Sequence, residues 1–258
     1  MPTSLSGLRV LVTRPTAQAQ EILKALHQHS VKAWHFPLID IIPLKTPLAT
    51  KLRNKISQYN LTIFISPNAV YYLAKALGEP HNLPENLKLA CIGQGSAQEL
   101  IKIFGRSADI LPAESGKQDS EALLENPQLA EIYTQNQRIL IVRGLGGREH
   151  LATVLRQRKA KVDYLEVYQR IKPASEPAKL NQSIAEHQLD VILLTSAEAL
   201  DNLLVLVKAQ YKTSLFHIPL VVIHHRQLIK AEDCGFLHVY LSRGADPNSV
   251  IETLKSIN

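Results

Sequence analysis

The chain has 258 residues, a length between one large domain and two ordinary ones, and two is the better starting assumption. Its 45% hydrophobic and 20% charged residues are globular values that exclude wholesale disorder, and a net charge of +6 spread along the chain points to an anionic partner. Only 5% of residues are aromatic and no RRM, zinc-finger or basic-zipper pattern occurs, so an anionic small molecule is as well allowed as nucleic acid.

In chain order, short Leu-rich or β-branched runs alternate with stretches whose apolar residues recur at i, i+3, i+4 and i+7, which predicts a βα rhythm. The start, MPTSLSGLRV, has no charged segment followed by a long apolar one, and no apolar run reaches 18 residues, so a soluble, cytoplasmic protein without a membrane partner is expected. RVLVTR (9–14) leads to Ala19, Ile22, Leu23 and Leu26; LTIFIS (61–66) to Val70, Leu73, Ala74 and Leu77; KLACIG (88–93) to Ala97, Leu100, Ile101 and Phe104. RILIV (138–142) opens onto RGLGGREHL (143–151), and VILLTS (191–196) leads to Leu200, Leu203, Leu204 and Val207. Cys91 lies inside an apolar run and Cys234 near the end of a helix-like segment; without regular spacing or clustered ligands, both read as reduced thiols, with no disulfide and no metal site.

The order of units recurs. RVLVTR and VKAWHFPLI match RILIVRG and KVDYLEVYQRI, with Arg9 to Arg138 an offset of 138 − 9 = 129. LTIFISPNAV matches DVILLTSAEAL, Ser66 to Thr195, again 195 − 66 = 129. KLACIGQGSA matches PLVVIHHRQL with a slip of a residue or two, and DILP…DSEALL matches HVYL…PNSVIETL. Each copy supplies about five strands, enough for a small doubly wound parallel sheet of the flavodoxin-like kind. Proline-rich stretches follow the equivalent strand in each copy, at Pro37 to Pro47 and Gln169 to Pro177, and mark two crossings between lobes. The expected organisation is a discontinuous α/β domain of residues 1–37 plus 172–258 and an inserted α/β domain of 40–168, with linkers near 37–40 and 168–172.

Three glycines after RILIV invite comparison with a phosphate cradle, but a GxGxxG turn would need Gly where Glu149 stands, and a GxxxxGK[ST] loop would need Lys and a hydroxyl after Gly147. Ligands of open α/β sheets bind beyond the carboxyl ends of the strands, where helix N-termini point N–H groups outward. That edge carries Thr13 and Arg14; Ser66, Pro67 and Asn68; Gln94, Gly95 and Ser96; Arg143 and Gly144; Thr195 and Ser196; and His224, His225 and Arg226. Ser, Thr and Asn there read first as helix N-caps. Arg14, Arg143, Arg148 and Arg226 do not, because a cation opposes the helix dipole by roughly 0.3–1 kcal/mol; a bound anion or a surface ion pair with a neighbouring acid would account for them. In KVDYLEVYQRI, alternation puts Tyr168 on a polar face with Tyr164, Glu166 and Arg170, where a phenol can donate a proton to a leaving hydroxyl or simply cover a domain junction. Adjacent His224 and His225 point opposite ways from a strand end and do not make a metal site.

VLVTRP (10–15), PLIDIIP (37–43), FISPNAV (64–70), IGQGSAQEL (92–100), RGLGGREHL with VYQRIKP (167–173) and LLTSAEAL (193–200) together resemble the uroporphyrinogen-III synthase family over nearly the whole chain, RGxGGRE with VYxRxxP being the most specific part. The resemblance implies two flavodoxin-like doubly wound parallel-sheet domains joined by a two-stranded linker, with the active cleft between them. It further implies a linear tetrapyrrole substrate, hydroxymethylbilane, carrying eight carboxylates; loss of its terminal hydroxyl and ring closure through a spiro intermediate that inverts the last pyrrole; and no cofactor. Carboxylates would be held by Thr13, Arg14, Ser66, Pro67, Asn68, Gly95, Ser96, Arg143, Gly144, Gly147, Arg148, Thr195, Ser196 and Arg226, while Tyr168, matching the Tyr of the VYxR segment, would assist hydroxyl loss. The glycines of RGLGG would let backbone approach a large anionic ligand or let the lobes close. A monomer that binds neither nucleic acid nor membrane, with transient contact to the preceding pathway enzyme, completes that expectation. The family often has a Ser after the PLVVI-type strand, where this chain has His224 and His225. The alternative from another class is a cytosolic two-lobed binding protein for an anionic metabolite, without catalysis.

Overall fold

The computed structural model describes residues 4–45, 49–113, 119–131, 137–173 and 176–257. Residues 46–47 and 174–175 of the two proline-rich stretches lie outside the described residues. The elements run β1 (Arg9–Val12), α1 (Thr16–Gln28), β2 (Lys32–His35), β3 (Asp40–Pro43), α2 (Ala49–Ile56), β4 (Leu61–Phe64), α3 (Pro67–Leu77), β5 (Lys88–Cys91), α4 (Gln94–Phe104), α5 (Ser120–Leu124) and α6 (Pro127–Glu131). They continue with β6 (Arg138–Gly144), α7 (His150–Gln157), β7 (Lys161–Ile171), α8 (Pro177–Ala185), β8 (Val191–Leu194), α9 (Ala197–Leu206), α10 (Lys212–His217), β9 (Leu220–Val222), α11 (His225–Asp233), β10 (Val239–Leu241) and α12 (Pro247–Ile257). The chain divides into two compact units, Met1–Ile41 with Ile171–Asn258, and Ile42–Arg170.

The first unit is built on a five-stranded sheet in the order β10-β9-β8-β1-β2, every adjacent pair parallel. Alternation along its strands feeds two cores. Val10, Val12, Val191, Leu193 and Val221 pack with Ile22 and Leu26 of α1 and Val250 and Leu254 of α12, whereas Leu11, Ile192, Leu194, Leu220 and Val222 pack with Leu180, Leu200, Leu203 and Leu215. A strand buried on both faces has no polar side to show, which is why its sequence is a continuous apolar run. At the amino end of the sheet Arg9 is clamped to Asp190 through its backbone N–H at 2.7 Å and its guanidinium at 2.5 Å.

The second unit carries the order β3-β7-β6-β4-β5, with the β4–β5, β4–β6 and β6–β7 pairs parallel. Leu61, Ile63, Ile139, Ile141 and Val162 face Leu123, Leu129, Leu151 and Leu155, and the alternating residues Phe64, Leu140 and Val142 are buried toward the opposite side, where α3 and α4 pack together. Thr62 breaks the pattern, since its hydroxyl is fully buried and has no hydrogen-bond partner. An orphaned buried hydroxyl costs about 1–3 kcal/mol, so Thr62→Val, which keeps the shape and the β-branch, is expected to raise the urea midpoint by the equivalent of about 1 kcal/mol.

The internal repeat is written into both sheets. Arg9 stands opposite Lys32 as Arg138 stands opposite Lys161, and both members shift by the same amount, 138 − 9 = 161 − 32 = 129. Val10 faces Val191 whereas Ile139 faces Leu61, which makes that offset 191 − 61 = 130 rather than the 129 expected from Ser66 and Thr195. Ser66 therefore corresponds to Ser196, and the two are functionally alike: each caps its helix, accepting the amide of Ala69 at 3.1 Å and of Ala199 at 3.0 Å. Leu89 and Leu220 then occupy the same place, 220 − 89 = 131, the slip of two residues that the aligned strings already required. Ile110, bridged parallel to Ala90, takes the outer position in the second sheet that β10 takes in the first.

Candidate functional site

All the sequence-predicted residues lie at the carboxyl ends of the strands, but the structure divides them into different kinds. In the first unit, Thr13 is 1% exposed and its hydroxyl donates to the Leu193 carbonyl at 2.7 Å, so it ties β1 to β8 instead of facing a ligand. Arg14 donates to the Ala245 carbonyl, in the turn that precedes α12, and its own carbonyl meets His35 Nε2 at 2.9 Å. Burial pulls its guanidinium below the ordinary range against the opposing charges of Asp246 and Glu21, and its Nε is buried without a partner. Ser196 caps α9 while Thr195 beside it is half-buried. Arg226 is exposed in the first turn of α11, where His224 takes the N-cap place without a side-chain cap. Burial, and secondarily Arg226, hold the His224 imidazole below its usual range.

The second unit brings distant residues into contact. The Tyr168 hydroxyl lies 3.0 Å from Ser66 Oγ, although 102 residues separate them, and the phenol ring packs on Tyr72 of α3 with centroids 5.5 Å apart. Pro67 begins α3 and lies beside Gly95, where an added Cβ would meet its Cγ at 3.5 Å. Ser96 is buried in the first turn of α4, and Asn68 is half-buried in that of α3. Gly93, the N-cap residue of α4, has no side chain to offer, and its carbonyl accepts the amides of Ser96 at 3.1 Å and Ala97 at 3.2 Å.

Tyr168 is not on the face that strict alternation predicts. Arg143 pairs with Glu166, but the next residue, Gly144, pairs with Tyr168, so a bulge inserts Val167 and turns the strand over. Tyr168 thereby leaves the face of Tyr164 and Glu166 and is 3% exposed. Gly144 is the reason the ring fits: a Cβ there would sit 2.5 Å from Tyr168 Cε2 and 2.7 Å from Cζ.

The other face of the bulge explains the remaining glycines. Arg143, expected to meet a ligand carboxylate, is 2% exposed and folded beneath its own turn. It donates to the carbonyl of Gly146, to that of Gly144 at 3.3 Å and to Glu149 Oε1 at 3.1 Å, with its Cζ 4.6 Å from the centre of the Tyr164 ring. Gly147 has φ +104°, and a Cβ on it would fall 2.6 Å from Arg143 Nη2. The turn that resembles a phosphate cradle thus encloses the protein's own guanidinium. Arg148 points outward, 77% exposed, with Glu121 at 3.7 Å as its acid neighbour.

Tyr72 carries no signal in the sequence pattern, and alternation groups Tyr164 and Glu166 with Tyr168, whereas the bulge leaves those two beside Arg143 and its turn. Glu149 was visible only as the residue that spoils a GxGxxG turn. Among the described residues no group of three or more His, Cys, Asp or Glu is placed to hold a metal ion, and no helix is long and apolar enough to cross a membrane. Cys91 is buried, which pushes its thiol up to about 12 and keeps it protonated.

A family model described as uroporphyrinogen-III synthase HemD matches residues 20–252. Over 251 residues the chain is 28% identical to the uroporphyrinogen-III synthase of Escherichia coli, a match that covers 96% of this chain and 100% of that protein. Over 167 residues it is 38% identical to the uroporphyrinogen-III synthase of Proteus mirabilis, covering 64% and 81% of the two chains. Among solved structures, a mutant uroporphyrinogen III synthase of Thermus thermophilus matches with a TM-score of 0.65 at 15% identity, over 97% of this chain and 98% of that one. The uroporphyrinogen-III synthetase of Helicobacter pylori matches with a TM-score of 0.62 at 14% identity, over 97% and 100%. At these identities the structural matches establish the two-domain α/β fold.

Proposed function

The chain belongs to the uroporphyrinogen-III synthase family, and from that premise we propose that it converts hydroxymethylbilane to uroporphyrinogen III with loss of water. The observation that carries the reading is the pairing of Tyr168 with Ser66 at the carboxyl edge of the second sheet, beside the N-terminus of α4. A phenol hydroxyl placed here can supply the proton with which the terminal hydroxyl departs as water. Ring closure then proceeds through a spiro intermediate that inverts the last pyrrole. The proton released when that pyrrole regains aromaticity restores the phenol, so the net change is the loss of one water.

Such a reaction asks for positioning more than for a strong nucleophile. Carboxylates of the bilane would be held by Arg148, Arg226 and Arg14, with the positive ends of the α3, α4 and α9 dipoles adding favourable potential. Thr13 and Arg143 shape those edges from inside. Protein added to freshly generated hydroxymethylbilane, followed by oxidation and chromatographic separation of the isomers, tests the proposal: mostly type III uroporphyrin is expected. Type I alone, at the spontaneous rate, would leave a binding protein for an anionic metabolite.

A further inference from the structure

Two faces of one turn carry different duties. On the Tyr168 face, Leu145 N–H donates to the Tyr168 carbonyl at 2.7 Å and Gly144 supports the ring. On the opposite face the same turn is closed around Arg143, whose guanidinium reaches the carbonyls of Gly144, Gly146 and Arg148, the last at 3.5 Å. One carboxylate completes that enclosure. Glu149 neutralises the guanidinium, accepting from Arg143 on Oε1 at 3.1 Å and from the Tyr164 hydroxyl on Oε2 at 2.6 Å, and the Tyr164 ring lies against that guanidinium. Glu166 adds a further tie, accepting Gly146 N–H at 3.2 Å.

An exposed ion pair would normally contribute little. Here only the acid is exposed, with its side chain 60% accessible against 2% for Arg143, so removing its charge leaves a buried cation facing neutral carbonyls. The geometry points to Glu149 as a positioning residue for the reaction: it keeps Arg143 inside the turn, and the turn keeps Gly144 and Leu145 where they place Tyr168. This inference rests on the reading of Tyr168 given above. It assigns a role to a residue that touches neither Tyr168 nor Ser66 in any hydrogen bond of the described structure.

The test is a cycle of Glu149→Gln, Tyr168→Phe and the double variant, with kcat and KM measured for each. It is joined to a fluorine spectrum of protein carrying 3-fluorotyrosine at its eight tyrosines, the Tyr168 line being identified by its loss in Tyr168→Phe. Glu149→Gln is isosteric at an exposed position and leaves a carbonyl oxygen for Tyr164. It is expected to lower kcat roughly tenfold while moving KM by less than about twofold, to shift or broaden the Tyr168 line, and to slow the Tyr168→Phe enzyme no further. Wild-type kcat in Glu149→Gln, effects that multiply in the double variant, or an unmoved Tyr168 line would each overturn the positioning role. Full turnover by Tyr168→Phe alone would instead remove the donor reading of Tyr168, and the fluorine line would then decide whether Glu149 places that ring.

Discussion

Tyr168→Phe is expected to lower kcat by about a hundredfold with KM nearly unchanged, because it deletes one oxygen and leaves everything else in place. The ring that remains keeps its packing on Tyr72 and its seat above Gly144. Ser66 Oγ loses a partner but still accepts the Ala69 amide, so the cap of α3 survives and stability should fall by no more than about 1 kcal/mol. Slower enzymatic closure competes less well with spontaneous closure, so the fraction of type I product should rise as the initial rate falls. Rates and isomer ratios measured on the same samples separate a lost proton donor from a damaged fold; an unchanged rate would take Tyr168 out of the chemistry. Because Ser66 is half-buried at the mouth of its turn while Tyr168 is 3% exposed, the pair would deliver its proton at the Ser66 side.

How a residue's neighbours in the chain limit what its position means is clearest in the two arginines that end the first strand of each repeat. Arg14 and Arg143 differ by 129, the offset that relates β1 to β6, and by sequence alone both stand as cations at a strand's carboxyl end. Arg143 is followed by Gly-Leu-Gly-Gly, whose positive φ angles at Gly146 and Gly147 let the backbone curl over the guanidinium. Arg14 is followed by Pro15, with α1 starting at Thr16, so no turn is available to enclose it and the side chain reaches Ala245 instead. The repeats, the parallel sheets and the cluster of edge residues were legible because hydrophobic period and strand order are local properties. The face of Tyr168 was not, since a bulge is defined by the pairing of β7 with β6 and by where Gly144 leaves room. Nor was the inward turn of Thr13, whose acceptor on β8 is 180 residues away. The one-residue slip between the Ser66 and Ser196 segments had a local signature, however: in both, the Ser precedes by three the amide it caps.

Gly144→Ala should have the larger effect on the molecule as a whole. A methyl group placed 2.5 Å from Cε2 and 2.7 Å from Cζ of Tyr168 cannot be absorbed by a rigid ring already packed on Tyr72, and the Gly144 backbone is itself held in the β6–β7 ladder. Overpacking of well-filled sites costs about 1–3 kcal/mol and more where nothing can yield, so a loss of about 3 kcal/mol is expected together with a fall in kcat at least as large as that of Tyr168→Phe. The atoms in conflict are ring carbons, which gives the prediction a sharper form. Adding Tyr168→Phe to Gly144→Ala should recover no stability, whereas adding Tyr168→Ala should recover part of it and still leave the enzyme slow. Gly146→Ala supplies the control two residues away: its φ is +73° but no atom lies within 4 Å of the new Cβ, so only the roughly 1–2 kcal/mol of the left-handed conformation is at stake. Denaturation midpoints for these four proteins distinguish a ring collision from a general intolerance of the turn. A Gly144→Ala protein as stable as Gly146→Ala would mean that Tyr168 does not sit over Gly144 and that this turn does not place the phenol.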